Sequence, residues 1–162
     1  MHRSFWLVIS FPLILILAAA TGARAQVDLK ALRQQHFDAI ARGDVAGSLA
    51  LYTDDAVVDG GGPCTAAPCV GKAAIQKTLE RRVAEKLSAT GLSYYVSGPV
   101  VTTRFEVRNN ATQQAGVDRV IGWDIYEYKG DKIASVRGPL WERTDPQTAR
   151  FVEWQRAQQS SR

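Results

Sequence analysis

The second half of the chain constrains the fold most. Between residues 92 and 142 it offers four strands, near 92–97, 100–108, 117–128 and 131–142. The last two are separated only by Gly130-Asp131, with aromatic residues before it and β-branched residues after it. That pattern is a hairpin signal. Four long antiparallel strands must bury at least one face, so the rest of the chain has to supply a second layer.

The first half has the right periodicity to do so. Residues 28–42, DLKALRQQHFDAIAR, read as a helix capped by Asp28, with Leu29, Leu32, Phe37 and Ile40 on its apolar face. Gly43 breaks it, and Asp44 caps a second short helix, VAGSLALY. Thr53-Asp54-Asp55 turns the chain into a short strand, AVVDG, with Val57 and Asp59 on one side. In KAAIQKTLERRVAEKLSAT, residues 72–90, Ala74, Ile75, Leu79, Val83 and Leu87 fall at helical spacing, and Gly91 stops the helix. NNATQQAG reads as a loop with a helical turn, and the tail as a short helix around Phe151 and Trp154. The order predicts an α+β fold: a curved antiparallel sheet packed against three helices, a cone-shaped α+β barrel. Such a sheet leaves a pocket at its open end.

The N-terminus carries an address. Arg3 precedes an apolar run from Phe5 to Ala20, and Ala23-Arg24-Ala25 has the small-x-small form of a signal-peptidase site. The run is shorter than the roughly 20 residues of a membrane span. Residues 1–25 therefore read as a removed signal peptide, 26–145 as one domain, and 146–162 as a short helix and tail. The expected location is periplasmic or secreted, with no membrane contact after cleavage. Arg3 and Arg24 leave with the signal, so 18 of the 20 basic residues remain against all 16 acidic ones. They are scattered, which gives no nucleic-acid footprint.

Export bears on DGGGPCTAAPCVG, residues 59–71, which holds the chain's only cysteines. Outside the cytosol two cysteines tend to oxidise. Cys64 and Cys69 lack the C-x-x-C spacing of a redox pair, and zinc would need about two more ligands where only His36 remains after cleavage. The expectation is a structural disulfide that shapes a rim, with no metal. No G-x-S-x-G or nucleotide-binding glycine motif appears, which favours cofactor-free chemistry or none.

AIARGDVAGSLALYTDDAVVD, then GKAAIQKTLERRV, then a long hairpin ending YKGDKIASVRGPLWER, resembles the SnoaL-like branch of the nuclear transport factor 2-like superfamily. The matching pieces run from about residue 29 to 143. The group includes ketosteroid isomerase, polyketide cyclases, epoxide hydrolases, dehydratases and ligand-binding members. Ketosteroid isomerase-like members place an electrophilic tyrosine where this chain has His36. They place a carboxylic acid on the strand entering the last hairpin, here Asp124. Their base carboxylate aligns with Gly60, one residue after Asp59.

The residues themselves leave more than one reading each. His36 lies four residues from both Leu32 and Ile40, about 40° from each around the helix. It is either an acid–base group or a core-edge histidine bonded to a backbone carbonyl. Asp124 lies on a strand apolar on both faces. It is either a buried acid that donates a hydrogen bond or a structural partner of Arg119 or Arg137. Asp59 is a base, a polar anchor or a turn residue. Tyr52, Tyr94, Tyr126 and Trp141 are candidate pocket walls or plain core. Ile121, Trp123 and Ile125 share one face and suggest a homodimer patch. Asn110-Ala111-Thr112 is a glycosylation sequon in a eukaryotic secretory host. The sequence thus points to an exported protein with a pocket for a small, largely apolar molecule. It leaves open a cofactor-free isomerase, cyclase or hydrolase using Asp124 and His36, and a purely dimeric interaction domain.

Overall fold

A computed structural model describes residues 27–160. The signal-peptide reading falls outside them. Helix α1 (Leu29–Ala41) is capped by the Asp28 side chain, which accepts from the Ala31 N–H, and α2 (Val45–Ala50) by Asp44, which accepts from the Gly47 N–H. The chain then runs through β1 (Tyr52–Asp59), a 3-10 turn, β2 (Cys69–Val70), α3 (Lys72–Ala84), β3 (Ser88–Ser97), β4 (Val100–Arg108), α4 (Asn110–Gln114), β5 (Val120–Lys129), β6 (Lys132–Trp141) and α5 (Pro146–Ser160).

The fold is α+β, a curved, unclosed sheet in the order β2-β1-β6-β5-β4-β3 with helices on it. The four long strands β3 to β6 pair antiparallel in sequence order, and Gly130 takes φ +66° in the two-residue turn between β5 and β6. The sheet as a whole is mixed, because β1 pairs parallel to β6. The connection between them spans most of the domain and crosses over, which a parallel neighbour requires.

Several boundaries differ from the sequence reading, β5 beginning at Val120 rather than 117 and α2 ending at Ala50 rather than Tyr52 among them. Strand β1 starts at Tyr52 rather than Ala56, and the register against β6 shifts between Tyr52 and Val57. The Thr53-Asp54-Asp55 signal is thus a bulge inside a strand. Helix α3 stops at Ala84, not near residue 90. Lys86 adopts φ +53°, and Ser88, Ala89 and Thr90 pair with Arg108, Val107 and Glu106. Sheet pairing here outweighs a helical periodicity that continues through Leu87. The tail forms a helix of 15 residues, and its Phe151 and Val152 are buried.

The inner sheet face meets the helices in two apolar clusters. One joins Ile40, Tyr52, Val58, Ile75, Leu79, Tyr126 and Ile133, and the other joins Phe37, Phe105, Val107, Val120 and Phe151. Helix α5 contributes to the second, with the Phe151 ring 5.8 Å from Trp141 and stacked on Trp154. Among the described residues no helix is long and apolar enough to cross a membrane.

Candidate functional site

Between α1, α3, α5 and the inner faces of β4 to β6 lies a cavity of about 200 Å³. Phe37, Leu87, Phe105, Val107, Val120 and Trp141 are part of its apolar wall. Its rim includes Gly61, Gly62 and Pro63 on one side and Gly138 and Pro139 on the other. This rim is built by backbone geometry that only glycine tolerates. Gly60 sits at φ +98°, and a Cβ there would stand 2.7 Å from the Gly138 carbonyl oxygen. Cys64 and Cys69 form a disulfide, with Cα atoms 5.1 Å apart, and Cys64 Sγ lies 3.1 Å from Thr78 Oγ1 of α3. The bridge ties the glycine loop to the domain.

A polar network occupies the inner end. Arg33 of α1 is 1% exposed. Its Nη2 donates to Asp124 Oδ2 at 2.6 Å, and its guanidinium carbon lies 3.4 Å from the Phe37 ring centre and 4.0 Å from that of Tyr126. Its Nη1 lies 3.2 Å from His36 Nδ1. A guanidinium can only donate, so Nδ1 accepts and the imidazole proton sits on Nε2. That N–H then donates to the Tyr52 hydroxyl at 3.1 Å. The Tyr126 hydroxyl lies 3.4 Å from Nδ1. Donors and acceptors thus run in one direction, from Arg33 through His36 to Tyr52.

The electrostatics agree with this assignment. Burial, then the fields of Arg33 and Arg82, hold His36 well below the usual imidazole range, so it is neutral. Burial pushes Tyr52 well above the usual phenol range and Tyr126 above it. Burial also raises Asp124, against the field and hydrogen bond of Arg33. Burial disfavours the charge on Arg33, but Tyr126 and Asp124 outweigh it and its pKa is raised. A guanidinium keeps its proton in proteins, so the 2.6 Å contact keeps Asp124 a carboxylate near neutrality. Arg33 and Asp124 line the cavity, and Arg33 Nε and Asp124 Oδ1 are buried with no partner in good hydrogen-bond geometry among the described residues; the Thr103 hydroxyl, opposite Asp124 across β4 and β5, is near enough to lower the carboxyl pKa.

The structure sorts the sequence candidates. Asp124, Tyr126 and Trp141 line the cavity. His36 and Tyr52 are buried behind its wall and joined to it through Arg33. Asp59 is exposed and off the cavity wall. Tyr94 is half-buried, donates to Gln34 Oε1 at 2.7 Å, and does not line the cavity either. His36 bonds side chains, not a backbone carbonyl, and Asp124 pairs with neither Arg119 nor Arg137 but with Arg33. Arg119 instead meets Asp145 and Glu106. Ile121 is buried within the chain, its N–H bonded to Thr148 Oγ1, so it forms no part of an open patch. Two residues escaped the sequence reading: Arg33, and Arg82 on the cavity wall.

The model of the SnoaL-like domain matches residues 34–136. Solved structures of this fold are numerous. An NTF2-like protein of unknown function from Cytophaga hutchinsonii superposes with a TM-score of 0.58 at 11% identity, covering 75% of this chain and 96% of its own. An epoxide hydrolase/cyclase-like enzyme of pyran ring formation in the polyether salinomycin gives 0.59 at 20%, covering 72% and 92%. A Mycobacterium tuberculosis protein in complex with estradiol-17β-hemisuccinate gives 0.59 at 20%, covering 72% and 95%. At these identities the likeness is one of fold. A search of curated proteins finds no match.

Proposed function

Because the chain belongs to the SnoaL-like domain family of the nuclear transport factor 2-like superfamily, we propose that it takes up a small, largely apolar molecule in the cavity and anchors it at Asp124. One observation carries this reading. The largely apolar cavity has a buried carboxylate, Asp124, in its wall, and Asp124 Oδ1 has no partner in good hydrogen-bond geometry, although the Thr103 hydroxyl across the strand pair is near enough to lower its carboxyl pKa. An unsatisfied buried acceptor costs about 1–3 kcal/mol, and a ligand hydroxyl or N–H reverses that cost. In this reading His36 and Tyr52 are positioning residues that fix Arg33, and Tyr126 and Trp141 are walls. The complex of the Mycobacterium tuberculosis protein with estradiol-17β-hemisuccinate supports a ligand with a largely apolar body.

A second reading adds chemistry at the same place. Asp124 lines the cavity, and burial raises its carboxyl pKa toward the range of a useful general base. The fold neighbour of pyran ring formation supports cyclase-like chemistry. A direct acid–base role for His36 has less support, since Arg33 occupies its lone pair and Tyr52 accepts its proton.

The reading includes export after loss of residues 1–25, supported by the Cys64–Cys69 bridge. It includes a homodimer through the outer sheet face. Trp123 and Ile125 are half-buried there, and Leu140, opposite Trp123, is 56% exposed. The test is a fluorescence titration with the apolar probe N-phenyl-1-naphthylamine. The parent protein is expected to bind it, and Ala89→Trp, which fills the cavity from its wall, is expected not to. Equal binding by both would move the site elsewhere, and no binding by either would remove the cavity reading. Intact native mass spectrometry of the exported protein reads the cleavage point and the dimer.

A further inference from the structure

The charges on the cavity wall do not balance. Three cations, Arg33, Arg81 and Arg82, face two anions, Glu85 and Asp124. Arg33 pairs with Asp124 at 2.6 Å, and Arg81, largely solvent-exposed, pairs with Glu85 at 2.7 Å along α3. That leaves Arg82. It is half-buried, and no carboxylate among the described residues stands within ion-pair reach of it.

Its guanidinium turns toward the cavity rather than into solvent. Nη2 lies 3.6 Å from where a Cβ on Gly61 would stand, so its tip rests against the mouth loop. Its field reaches His36, Tyr52, Tyr126 and Asp124, all buried around the inner end. Within the protein its partner is the Tyr126 hydroxyl, a neutral group. A guanidinium in an apolar wall with no counter-charge is a recognition element for an oxyanion, which it can grip through two parallel N–H bonds.

We propose that the molecule held in the cavity is an amphipathic anion, with an apolar body against the aromatic wall and one oxyanion head, of the carboxylate class, paired with Arg82 beside Gly61. This rests on the cavity reading above and names the chemical class it takes. Arg82 then sets specificity, because a neutral ligand of the same shape leaves the guanidinium without a partner. The opposite end of such a ligand meets Asp124, which excludes a second anionic group there.

The test uses two probes with one aromatic skeleton: 8-anilinonaphthalene-1-sulfonate, and its uncharged counterpart N-phenyl-1-naphthylamine. The parent protein is expected to bind the sulfonate about tenfold to a hundredfold more tightly, the range of one charge-assisted hydrogen-bonded pair. Arg82→Gln should remove that preference, the sulfonate then binding no more tightly than the neutral probe, and Arg82→Lys should keep part of it. Arg81→Gln changes net charge equally on the neighbouring residue and should keep the preference whole. Thermal melts show whether each variant is folded. If both probes bind the parent equally, or if Arg81→Gln and Arg82→Gln weaken the sulfonate alike, the anion assignment is overturned while the cavity reading stands. If neither probe binds the parent, both readings fall.

Discussion

Replacing Asp124 with asparagine keeps the shape of the side chain and deletes its charge. The consequence can be worked from its surroundings. Arg33 is 1% exposed, and Asp124 at 2.6 Å is its carboxylate partner. Removing one member of a buried ion pair strands the other, at about 3–5 kcal/mol. Two supports survive the substitution, the Phe37 and Tyr126 rings on either side of the guanidinium. Desolvated cation–π contacts reach about 2 kcal/mol, which moves the expected loss to the lower end, about 3 kcal/mol. Arg33→Met creates the converse defect, a buried carboxylate that can escape by binding a proton. There burial acts without opposition from Arg33, so the folded pKa rises further above the unfolded value. The sign follows from linkage: the folded state binds the extra proton, so stability is present at low pH and is lost as pH rises through the raised folded pKa. With His36→Gln in both backgrounds, Arg33→Met should therefore gain stability relative to the parent on going from pH 7 to pH 5, whereas Asp124→Asn has no such titration at this site. The double variant leaves no charge in the core and should recover much of the loss, because neither ion is then stranded. Urea unfolding of all four proteins and of the two His36→Gln backgrounds at both pH values, followed by tryptophan fluorescence, measures each term. A single Asp124→Asn loss below about 1 kcal/mol, or a double variant no better than the sum of the single losses, would refute a buried, ionised pair.

His36 and the disulfide give two further predictions. The His36 imidazole is held well below its unfolded value of about 6.5 by burial first and by Arg33 and Arg82 next, so its contribution is present above pH 6.5 and is lost as pH falls, at up to about 1.4 kcal/mol per pH unit. His36→Gln should flatten that slope between about pH 6.5 and 5 in chemical denaturation, and an unchanged slope would assign it to another group. Removing the Cys64–Cys69 bridge opens only a short loop, so Cys64→Ser with Cys69→Ser should cost no more than about 2 kcal/mol. Hydrogen exchange should rise in residues 60–70 and not in β4 and β5; a uniform rise would show that the bridge holds the whole fold rather than the cavity rim.

What could be read from the sequence, and what could not, follows from the range of each signal. The β5–β6 hairpin was legible because Gly130-Asp131 specifies it within two residues. The end of α3 was not, because the strand that displaces the helix past Ala84 is determined by pairing with Arg108 and Val107, twenty residues on. Asp124 was legible as a buried carboxylate because its strand is apolar on both faces. Its partner in α1 was hidden by its charge rather than by the helix register. The buried stripe is Arg33, His36, Phe37 and Ile40, at i, i+3, i+4 and i+7. Register alone places Arg33 inside the apolar face, about 40° from both Leu29 and Phe37. Its charge set it aside, since arginine is almost never fully buried unless paired. Taken together the two anomalies are informative where each alone was not. An arginine completing an otherwise buried helical stripe needs a counter-charge, and a carboxylate on a doubly covered strand needs a cation. The two needs answer each other across 91 residues. Arg82 has no such complement anywhere in the described chain, and the same rule sends its search for a counter-charge outside the protein, to the ligand.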